Sequence, residues 1–344
     1  MAKTFHGKIE YDILENGITR GHITLKSDFI DFENAYVQPF LNALLKDKTT
    51  HNNIVFATSS YESLGDAFKS DKEITRLRLK KMDLRPRVLK SSEEQSLRTR
   101  KKAEVFTPSW LCCRMNNYCD NEWFGKTDVF NHLDGKEWIP TSEKIEFPEG
   151  RTWGNYIDSR RIEITCGEAP YIVSRYDAAT GEPIDIINRI GVLDRKLRIV
   201  NENAEDCNEW MKWSLRAFQS VYGYEWQGDS LLIARINLLM TFLEYYEARW
   251  GTLPVDDSFY KAVSTIVNVI VWNFWQMDGL KGTVPFKALS DEDDISIQPS
   301  LFDDDTIVSE LPAQKTEDKI VKCRIFDWRT NCSLTYNELR KEKK

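Results

Sequence analysis

The sequence predicts an α/β protein in which a parallel sheet with crossover helices follows a small N-terminal mixed α+β module. The chain has 344 residues, of which 41% are hydrophobic and 12% aromatic, so it can bury a sizeable core. The first hundred residues contain short alternating runs and one amphipathic helix. From about residue 100, short strands alternate with long helices, which is typical of βαβ units. We therefore expect an N-terminal module at 1–97 and a second unit at 98–344.

The N-terminal module begins with a predicted hairpin. Two alternating runs at 8–14 and 18–26 flank Glu15-Asn16-Gly17, and Asn-Gly between such runs is a strong signal for a hairpin turn. Apolar residues then recur at helical spacing over 32–45, and residues 53–58 have the composition of a strand. The module leads into a segment rich in lysine and arginine.

Three predicted strands of the second unit end in residues suited to ligand binding. The strands at 161–165, 221–225 and 321–326 end at Cys166-Gly167, at Glu225 and at Asp327. Helices are predicted at 206–220, 229–248 and 258–277, the last with Asp256, Asp257 and Ser258 as candidate caps. In a doubly wound sheet, ligands lie at the carboxyl ends of the strands. The Cys166-Gly167 turn lets the backbone approach a ligand, Glu225 can accept from ribose hydroxyls, and Asp327 can accept from an adenine amino group. Together they predict an adenosine pocket.

The charges are unevenly distributed along an acidic chain of net charge −7. Residues 72–102, here called the basic island, contain twelve Lys or Arg and four acidic residues. We expect this island to contact DNA phosphates, with a solvated surface as the alternative. The candidate DNA-binding residues are Arg98, Arg100, Lys101 and Lys102. An acidic insertion at 290–318 is expected to be exposed, because seven acidic residues lie within 290–305.

Several classes of protein are disfavoured. The most apolar stretch, at 262–275, is too short for a bilayer, so no membrane association is expected. The N-terminus lacks the apolar core of a signal peptide, which predicts a cytoplasmic protein. The seven scattered cysteines are expected to be reduced thiols, and the cluster at Cys112, Cys113 and Cys119 lacks the spacing of a metal site. The first hundred residues contain no Glu-x-Lys, so nuclease activity is not predicted.

The order of these motifs resembles the adenine-specific DNA methyltransferases of the gamma arrangement, which include Eco57I-like and type I modification enzymes. Phe106-Thr107-Pro108 comes first, then the Cys166-Gly167 turn, then Gly223-Tyr224-Glu225 before an apolar helix, and last the strand ending at Asp327. The resemblance covers about residues 98–340. It implies a Rossmann-like S-adenosylmethionine-dependent methyltransferase sheet that is incomplete in this chain.

The resemblance also implies a set of residues that bind S-adenosylmethionine. Phe106, Thr107 and Pro108 would line its methionine end, and the segment from Glu163 through Cys166 and Gly167 would form the glycine loop. Glu225 matches the ribose-binding acid. Trp226 matches the residue on the adenine face, and Asp327 the acid near the adenine amino group. The glycine loop differs from the family pattern, because Ala169 stands at the second glycine position and Glu168 adds a negative charge.

The catalytic motif of the family, Asn-Pro-Pro-Tyr or Asp-Pro-Pro-Tyr, does not occur. The nearest candidate, Asn273-Phe274-Trp275-Gln276, lacks both prolines and is better explained as helical core. We expect a split restriction-modification enzyme: this chain is the cofactor-binding, M-type subunit, and a second methyltransferase subunit supplies the catalytic motif and recognition of double-stranded DNA. The alternative is a non-catalytic relative that binds DNA or a partner. A complete one-chain adenosine-cofactor enzyme would need an acid or base near Asp327, and no histidine lies there.

Overall fold

The N-terminal hairpin is present. A computed structural model describes residues 9–13, 19–23, 35–82, 84–90, 107–289, 319–336 and 338. Strands β1 (Ile9–Ile13) and β2 (Thr19–Ile23) pair antiparallel, with Ile9 opposite Ile23. The predicted hairpin is confirmed in its two strands, and its Asn-Gly turn lies outside the described residues.

Short helical turns make up most of residues 35–90. A 3-10 turn at Gln38–Phe40 leads into helix α1 (Leu41–Leu45), and helix α2 (Arg76–Leu79) follows later. The helix predicted for 32–45 is therefore shorter, because Pro39 lacks a backbone N–H and is suited to a first turn. The strand predicted at 53–58 is wrong: Asn53 and Val55 form only isolated bridges, to Lys46 and Glu73.

The chain beyond residue 106 contains the longer elements. The helices are α3 (Ser109–Phe124), α4 (Trp153–Ile157), α5 (Val192–Asn203), α6 (Cys207–Gln219), α7 (Gly228–Trp250) and α8 (Asp257–Asn273). The strands are β3 (Asn131–Asp134), β4 (Glu137–Pro140), β5 (Arg161–Ile164), β6 (Val221–Glu225), β7 (Phe274–Gln276), β8 (Thr283–Leu289), β9 (Lys319–Lys322), β10 (Arg324–Asp327) and β11 (Cys332–Thr335). Helices α6 and α7 confirm two predictions, and Asp256 caps α8 by accepting from Phe259 N–H at 2.9 Å. Helix α5 was not predicted.

A parallel three-stranded sheet has the order β5–β6–β7. Arg161 pairs with Val221, and Glu225 pairs with Gln276. The strands predicted at 161–165 and 221–225 are therefore neighbours. The helix predicted for 258–277 is too long, because its last residues form β7. Gly223 permits close packing there, since a Cβ at that position would lie 2.7 Å from Phe274 Cε1.

The strand ending at Asp327 belongs to a different sheet. Strand β9 pairs antiparallel with β8, and β10 pairs antiparallel with β11. The prediction that this strand ends beside Gly167 and Glu225 is wrong. A local turn decides the pairing: Asn331, at φ 54°, adopts the left-handed conformation that asparagine tolerates and reverses the chain into β11.

One apolar core joins residues from both sides of position 97. Tyr36, Leu44 and Phe56 belong to the same buried cluster as Phe242 and Val267. Within it, the buried Arg235 guanidinium donates to the carbonyl oxygens of Leu44 at 2.6 Å, Lys46 at 2.8 Å and Phe274 at 2.7 Å. Arg235 thereby ties α7 to α1 and to β7. Across the described ranges, no helix is both long and apolar enough to cross a membrane.

Candidate functional site

The loop after β5 makes a tight turn at the carboxyl edge of the parallel sheet. Thr165, Gly167 and Ala169 all have positive φ, at 51°, 55° and 65°. Only glycine adopts this conformation without steric cost. Cys166 N–H donates to the Tyr224 carbonyl at 2.9 Å and holds the loop against β6. Burial raises the pKa of the Cys166 thiol well above its ordinary value, so this cysteine is a packing residue and not an activated nucleophile.

Glu225 joins this loop to the end of β6. Its Oε2 accepts a hydrogen bond from Gly167 N–H at 2.8 Å, and its Oε1 accepts one from Gln227 N–H at 3.1 Å. The carboxylate is therefore fixed between two strand ends. Of the three predicted strand ends, the structure brings these two together.

A cavity of about 930 Å³ opens beside this hydrogen bond. Five of the predicted cofactor-binding residues line it: Thr107, Glu163, Cys166, Gly167 and Glu225. The lining also includes residues that sequence reasoning missed, among them Arg87, Met115, Tyr118, Gln227 and Ser230. Arg87 lay within the basic island, but nothing in its spacing linked it to the glycine loop.

Glu163 contributes an enclosed carboxyl group to the cavity wall. The residue as a whole is half-buried, whereas its Oε2 is inaccessible and has no hydrogen-bond partner in the described part of the chain. Burial raises the pKa of this carboxyl well above its ordinary value of 4.5, and the nearby Glu225 acts in the same direction. A hydrogen bond from the Tyr171 backbone opposes the rise. The cavity therefore contains one acid that favours the protonated form.

Glu168 does not present a bare charge to the cavity. Its Oε1 accepts from Arg87 N–H at 2.6 Å, and its Oε2 accepts from the Tyr176 hydroxyl at 2.6 Å. Asn237 also donates to the Tyr176 hydroxyl, at 3.1 Å. Glu168 thus links the loop after β5 to the basic island.

Asp327 lies near the opposite edge of the parallel sheet. Its Oδ1 is 3.0 Å from Arg160 Nη2, and Arg160 immediately precedes the first residue of β5. Asp327 also accepts from Arg329 N–H at 3.0 Å. Burial by itself would raise the pKa of Asp327, but the Arg329 amide and the Arg160 guanidinium outweigh it and lower the pKa below 3.8. The structure does not bring Asp327 to Glu225.

The position that Asp327 was expected to occupy is taken by Gln276, at the end of β7. Its side-chain amide is buried and pairs with both backbone groups of Val55: Val55 N–H donates to Oε1 at 2.9 Å, and Nε2 donates to the Val55 carbonyl at 2.8 Å. Nε2 also donates to the Trp226 carbonyl at 2.7 Å. Gln276 therefore fastens residues 53–58 to the sheet, as a neighbouring strand would.

The remaining predicted residues lie away from the cavity or outside the described residues. The Trp226 ring packs edge-to-face on Phe286 at 5.6 Å and is not among the lining residues, and Pro108 directly precedes α3. Asn273 is buried and donates to the carbonyls of Phe218 and Val221 at 3.0 and 2.9 Å, as expected of a core residue. Outside the described residues lie Phe106, Arg98, Arg100, Lys101, Lys102 and the acidic insertion at 290–318.

The arrangement is suited to binding a polar ligand beside a glycine turn. Within the described ranges, no group of three His, Cys, Asp or Glu residues is placed to hold a metal ion. Comparisons with protein-family models, with curated proteins and with solved structures found no significant match to this chain.

Proposed function

We propose that this chain is the cofactor-binding, M-type subunit of a split restriction-modification adenine N6 DNA methyltransferase. The proposal is carried by the hydrogen bond between Gly167 and Glu225, which joins the ends of two parallel strands beside the cavity. A glycine turn and an acid at neighbouring strand ends are the elements of an adenosine site in doubly wound sheets. In this proposal, the three-stranded sheet is part of a Rossmann-like methyltransferase fold.

The lining residues fit S-adenosylmethionine. The cavity volume of about 930 Å³ lies within the range of small-molecule sites. Glu225 lies in the cavity wall, and a carboxylate can accept hydrogen bonds from ribose hydroxyls. Thr107 lines the same cavity, as expected for the methionine end.

When bound, S-adenosylmethionine would supply an electrophilic methyl group for attack by the adenine N6. The residues of this chain would bind and orient it, Glu225 through the ribose and the loop around Gly167 through the amino-acid end. The enclosed wall formed by Glu163 and Cys166 would exclude water. Positioning and desolvation account for most of what a protein contributes to such an in-line displacement.

The second subunit in this proposal supplies the catalytic motif, because no two adjacent prolines occur in the 344 residues. It would also cover the outer edge of β5, which among the described strands pairs only with β6. Arg161 N–H donates to Ser220 on the β6 side, so the backbone groups of Ile162 point to the outer side. The neighbouring Ile162 and Ile164 line the cavity and are 54% and 63% exposed. Proteins normally cover such an edge.

The alternative is a non-catalytic relative that keeps the fold for its surface. Two observations favour it: Asp327 lies away from the cavity, and Ala169 occupies a positive-φ position of the loop. The engaged Glu225 also has a structural explanation, since it satisfies two backbone amides. In this alternative, the cavity binds no adenosine cofactor.

Titration calorimetry with S-adenosylmethionine tests the proposal, using the full chain alone and with a subunit that carries Asn-Pro-Pro-Tyr. We expect Glu225→Gln to weaken binding about five- to hundredfold, corresponding to about 1 to 3 kcal/mol for lost ribose hydrogen bonds. Asp327→Asn is the matched control and should bind like the wild type. Methyl transfer to adenine should require both subunits. Wild-type protein that binds no S-adenosylmethionine in either form would favour the non-catalytic alternative.

The DNA-binding part of the proposal concerns the basic island. Lys80, Lys81 and Arg85 are exposed in its described part. Replacing Arg98, Arg100, Lys101 and Lys102 by Gln should weaken DNA binding by the complex and flatten its salt dependence, because fewer counterions are released. The control replaces the exposed Lys126, Lys136 and Lys144, which lie outside the island, and should leave the salt slope unchanged. If the island variant keeps the salt slope of the wild type, as the control does, the island is a solvated surface.

A further inference from the structure

The outer edge of β5 presents backbone groups that have no partner strand in the described part of the chain. In a parallel pair, one residue directs its backbone N–H and carbonyl towards the neighbouring strand, and the next residue directs both away from it. Arg161 N–H donates to the Ser220 carbonyl at 3.0 Å, so Arg161 and Glu163 are turned towards β6. The backbone groups of Ile162 and the N–H of Ile164 therefore point to the outer side, where no described strand pairs with them.

The side chains show that the sheet lacks a neighbour on this side. The register places Ile164 beside Tyr224 and Tyr224 beside Trp275, so the three side chains form one row across one face of the sheet. Along this row the exposed fraction is 2% at Trp275, 6% at Tyr224 and 63% at Ile164. Tyr224 and Trp275 belong to one buried apolar cluster. A further strand beside β5 would extend the row by one side chain and cover Ile164.

Helix α3 borders the same open edge. Its residues Met115 and Tyr118 are 52% and 70% exposed, and they line the cavity together with the exposed residues of β5. Their i, i+3 spacing places both on one side of the helix. The helix lies next to β5, since Arg161 Nη2 is 4.0 Å from Asp120 Oδ1. The open edge and α3 thus border one groove with an apolar surface.

The unpaired backbone groups select the chemistry of the occupant. A polypeptide in extended conformation presents N–H and carbonyl groups at the spacing of those of Ile162 and Ile164, whereas a nucleic acid or a lipid has no such backbone. Its side chains alternate between the two faces of the sheet, so every second one would lie on the face of Ile164. Those side chains need to be apolar to continue the buried row.

We propose that the groove between β5 and α3 binds an extended segment of a partner protein, which adds a strand to the outer edge of β5. Main-chain hydrogen bonds to the edge would supply affinity, and apolar residues at alternate positions would supply specificity. The identity of the partner rests on the proposed function, in which it is the second subunit. The edge and the groove do not depend on what the cavity binds.

A peptide selection on the full chain tests this mode of docking. The probe is a phage-displayed library of random peptides long enough to pair with the whole of β5, and the immobilised bait is the wild-type chain. We expect enriched peptides to carry apolar residues at alternate positions. Bound as synthetic peptides, they should protect the amides of Ile162 and Ile164 from hydrogen exchange. Protection of the Glu163 amide, which already faces β6, should not change.

Two variants of one residue separate strand pairing from apolar contact. Ile162→Pro removes the outward N–H and no hydrogen bond to β6, and proline is tolerated on edge strands. Peptide affinity should fall about tenfold or more, because a hydrogen bond is lost and the ring obstructs the incoming strand. Ile162→Val is the matched control, which keeps the N–H and should bind within about twofold of the wild type. If Ile162→Pro fails to fold, Ile164→Lys places a charge on the exposed face and should weaken binding similarly.

The outcomes distinguish this proposal from the proposed function. Peptides that bind Ile162→Pro as tightly as Ile162→Val, or a selection that enriches no more peptide on the wild type than on Ile164→Lys, would overturn the docking site and leave the cofactor site standing. Peptide binding by a chain that binds no S-adenosylmethionine would uphold the docking site and refute the proposed function. A wild-type dimer in sedimentation equilibrium that Ile162→Pro dissociates would assign the edge to a second copy of this chain instead.

Discussion

The two edges of the parallel sheet use acidic residues in opposite ways. At the carboxyl edge, Glu225 is buried and satisfies two backbone amides beside a cavity. At the amino edge, Asp327 forms a more exposed ion pair with Arg160, whose side chain is 45% exposed. Both acids end a strand, and sequence reasoning assigned both to one pocket. The comparison teaches that an acid at a strand end identifies a site only when the sheet that contains the strand is also known.

The largest expected difference between the two edges is in stability. Glu225→Ala should lower the free energy of unfolding by about 2 to 4 kcal/mol, because it leaves the Gly167 and Gln227 amides without their acceptor. Asp327→Ala should cost about 1 kcal/mol or less, as expected for an exposed ion pair. Urea denaturation monitored by the fluorescence of the tryptophans measures both. Equal losses would contradict the distinction between the edges.

A smaller effect concerns the pH dependence of stability. As pH rises, the contribution of the acid at the carboxyl edge should fall, and the contribution of the acid at the amino edge should rise. The pKa of Glu163 is raised above 4.5. Its contribution to the free energy of unfolding is therefore fully present below pH 4.5 and is lost as pH rises through the pKa of the folded state. The Glu163→Gln variant should therefore have a free energy of unfolding higher than that of the wild type by on the order of 1 kcal/mol at pH 8. At pH 4 the two proteins should be equally stable.

Asp327 provides the opposite case for the same measurement. The pKa of Asp327 is lowered below 3.8. Its contribution to the free energy of unfolding is therefore present at neutral pH and is lost as pH falls through the pKa of the folded state. Asp327→Asn should cost a few tenths of a kcal/mol at pH 7, because solvent screens this pair. Urea midpoints from pH 4 to pH 8 measure both variants. A Glu163→Gln gain that does not change with pH would show that folding does not raise the pKa of this carboxyl.

A third difference between the edges concerns two residues in the left-handed backbone conformation. Thr165, in the loop at the carboxyl edge, is β-branched and has φ 51°, whereas Asn331, in the turn near the amino edge, has φ 54°. Thr165→Gly should stabilise the protein by about 0.5 to 1 kcal/mol, and Asn331→Gly by less, because asparagine tolerates this conformation. Thermal unfolding measures both. The exposed Thr127, which does not have a positive φ, is the control and should lose stability when replaced by Gly.

The sequence predicted the elements whose signals are local. The hairpin of β1 and β2, helices α6 and α7 and strands β5 and β6 each follow from a periodicity, a cap or a turn within a few residues. Glu225 beside Gly167 also followed from sequence, because two adjacent parallel strands bring their carboxyl ends to one edge. The expected cofactor and partner stay predictions, tested by the experiments above.

Helix α5 illustrates what periodicity alone could not predict. Its consecutive residues Asp194, Arg195 and Lys196 have the composition of a solvated surface, yet all three are buried. Asp194 accepts from Ser174 N–H at 2.7 Å, Arg195 donates to Asp120 at 2.5 Å, and Lys196 donates to the Ser220 hydroxyl at 2.6 Å. Burial of these charges depends on the hydrogen bonds that each of them forms with other segments of the chain.

The sequence by itself therefore determined helices α6 and α7, most of α8, two parallel strands and the glycine turn beside Glu225. Only the tertiary structure decided that Asp327 lies at the other edge, that Phe274–Gln276 is a strand, and that Arg87 lines the cavity. The physical reason is the distance in sequence between the interacting groups. Val55 and Gln276 are 221 residues apart, and Arg87 and Glu168 are 81 apart. Hydrogen bonds across such separations depend on how the elements pack, and no local pattern encodes them.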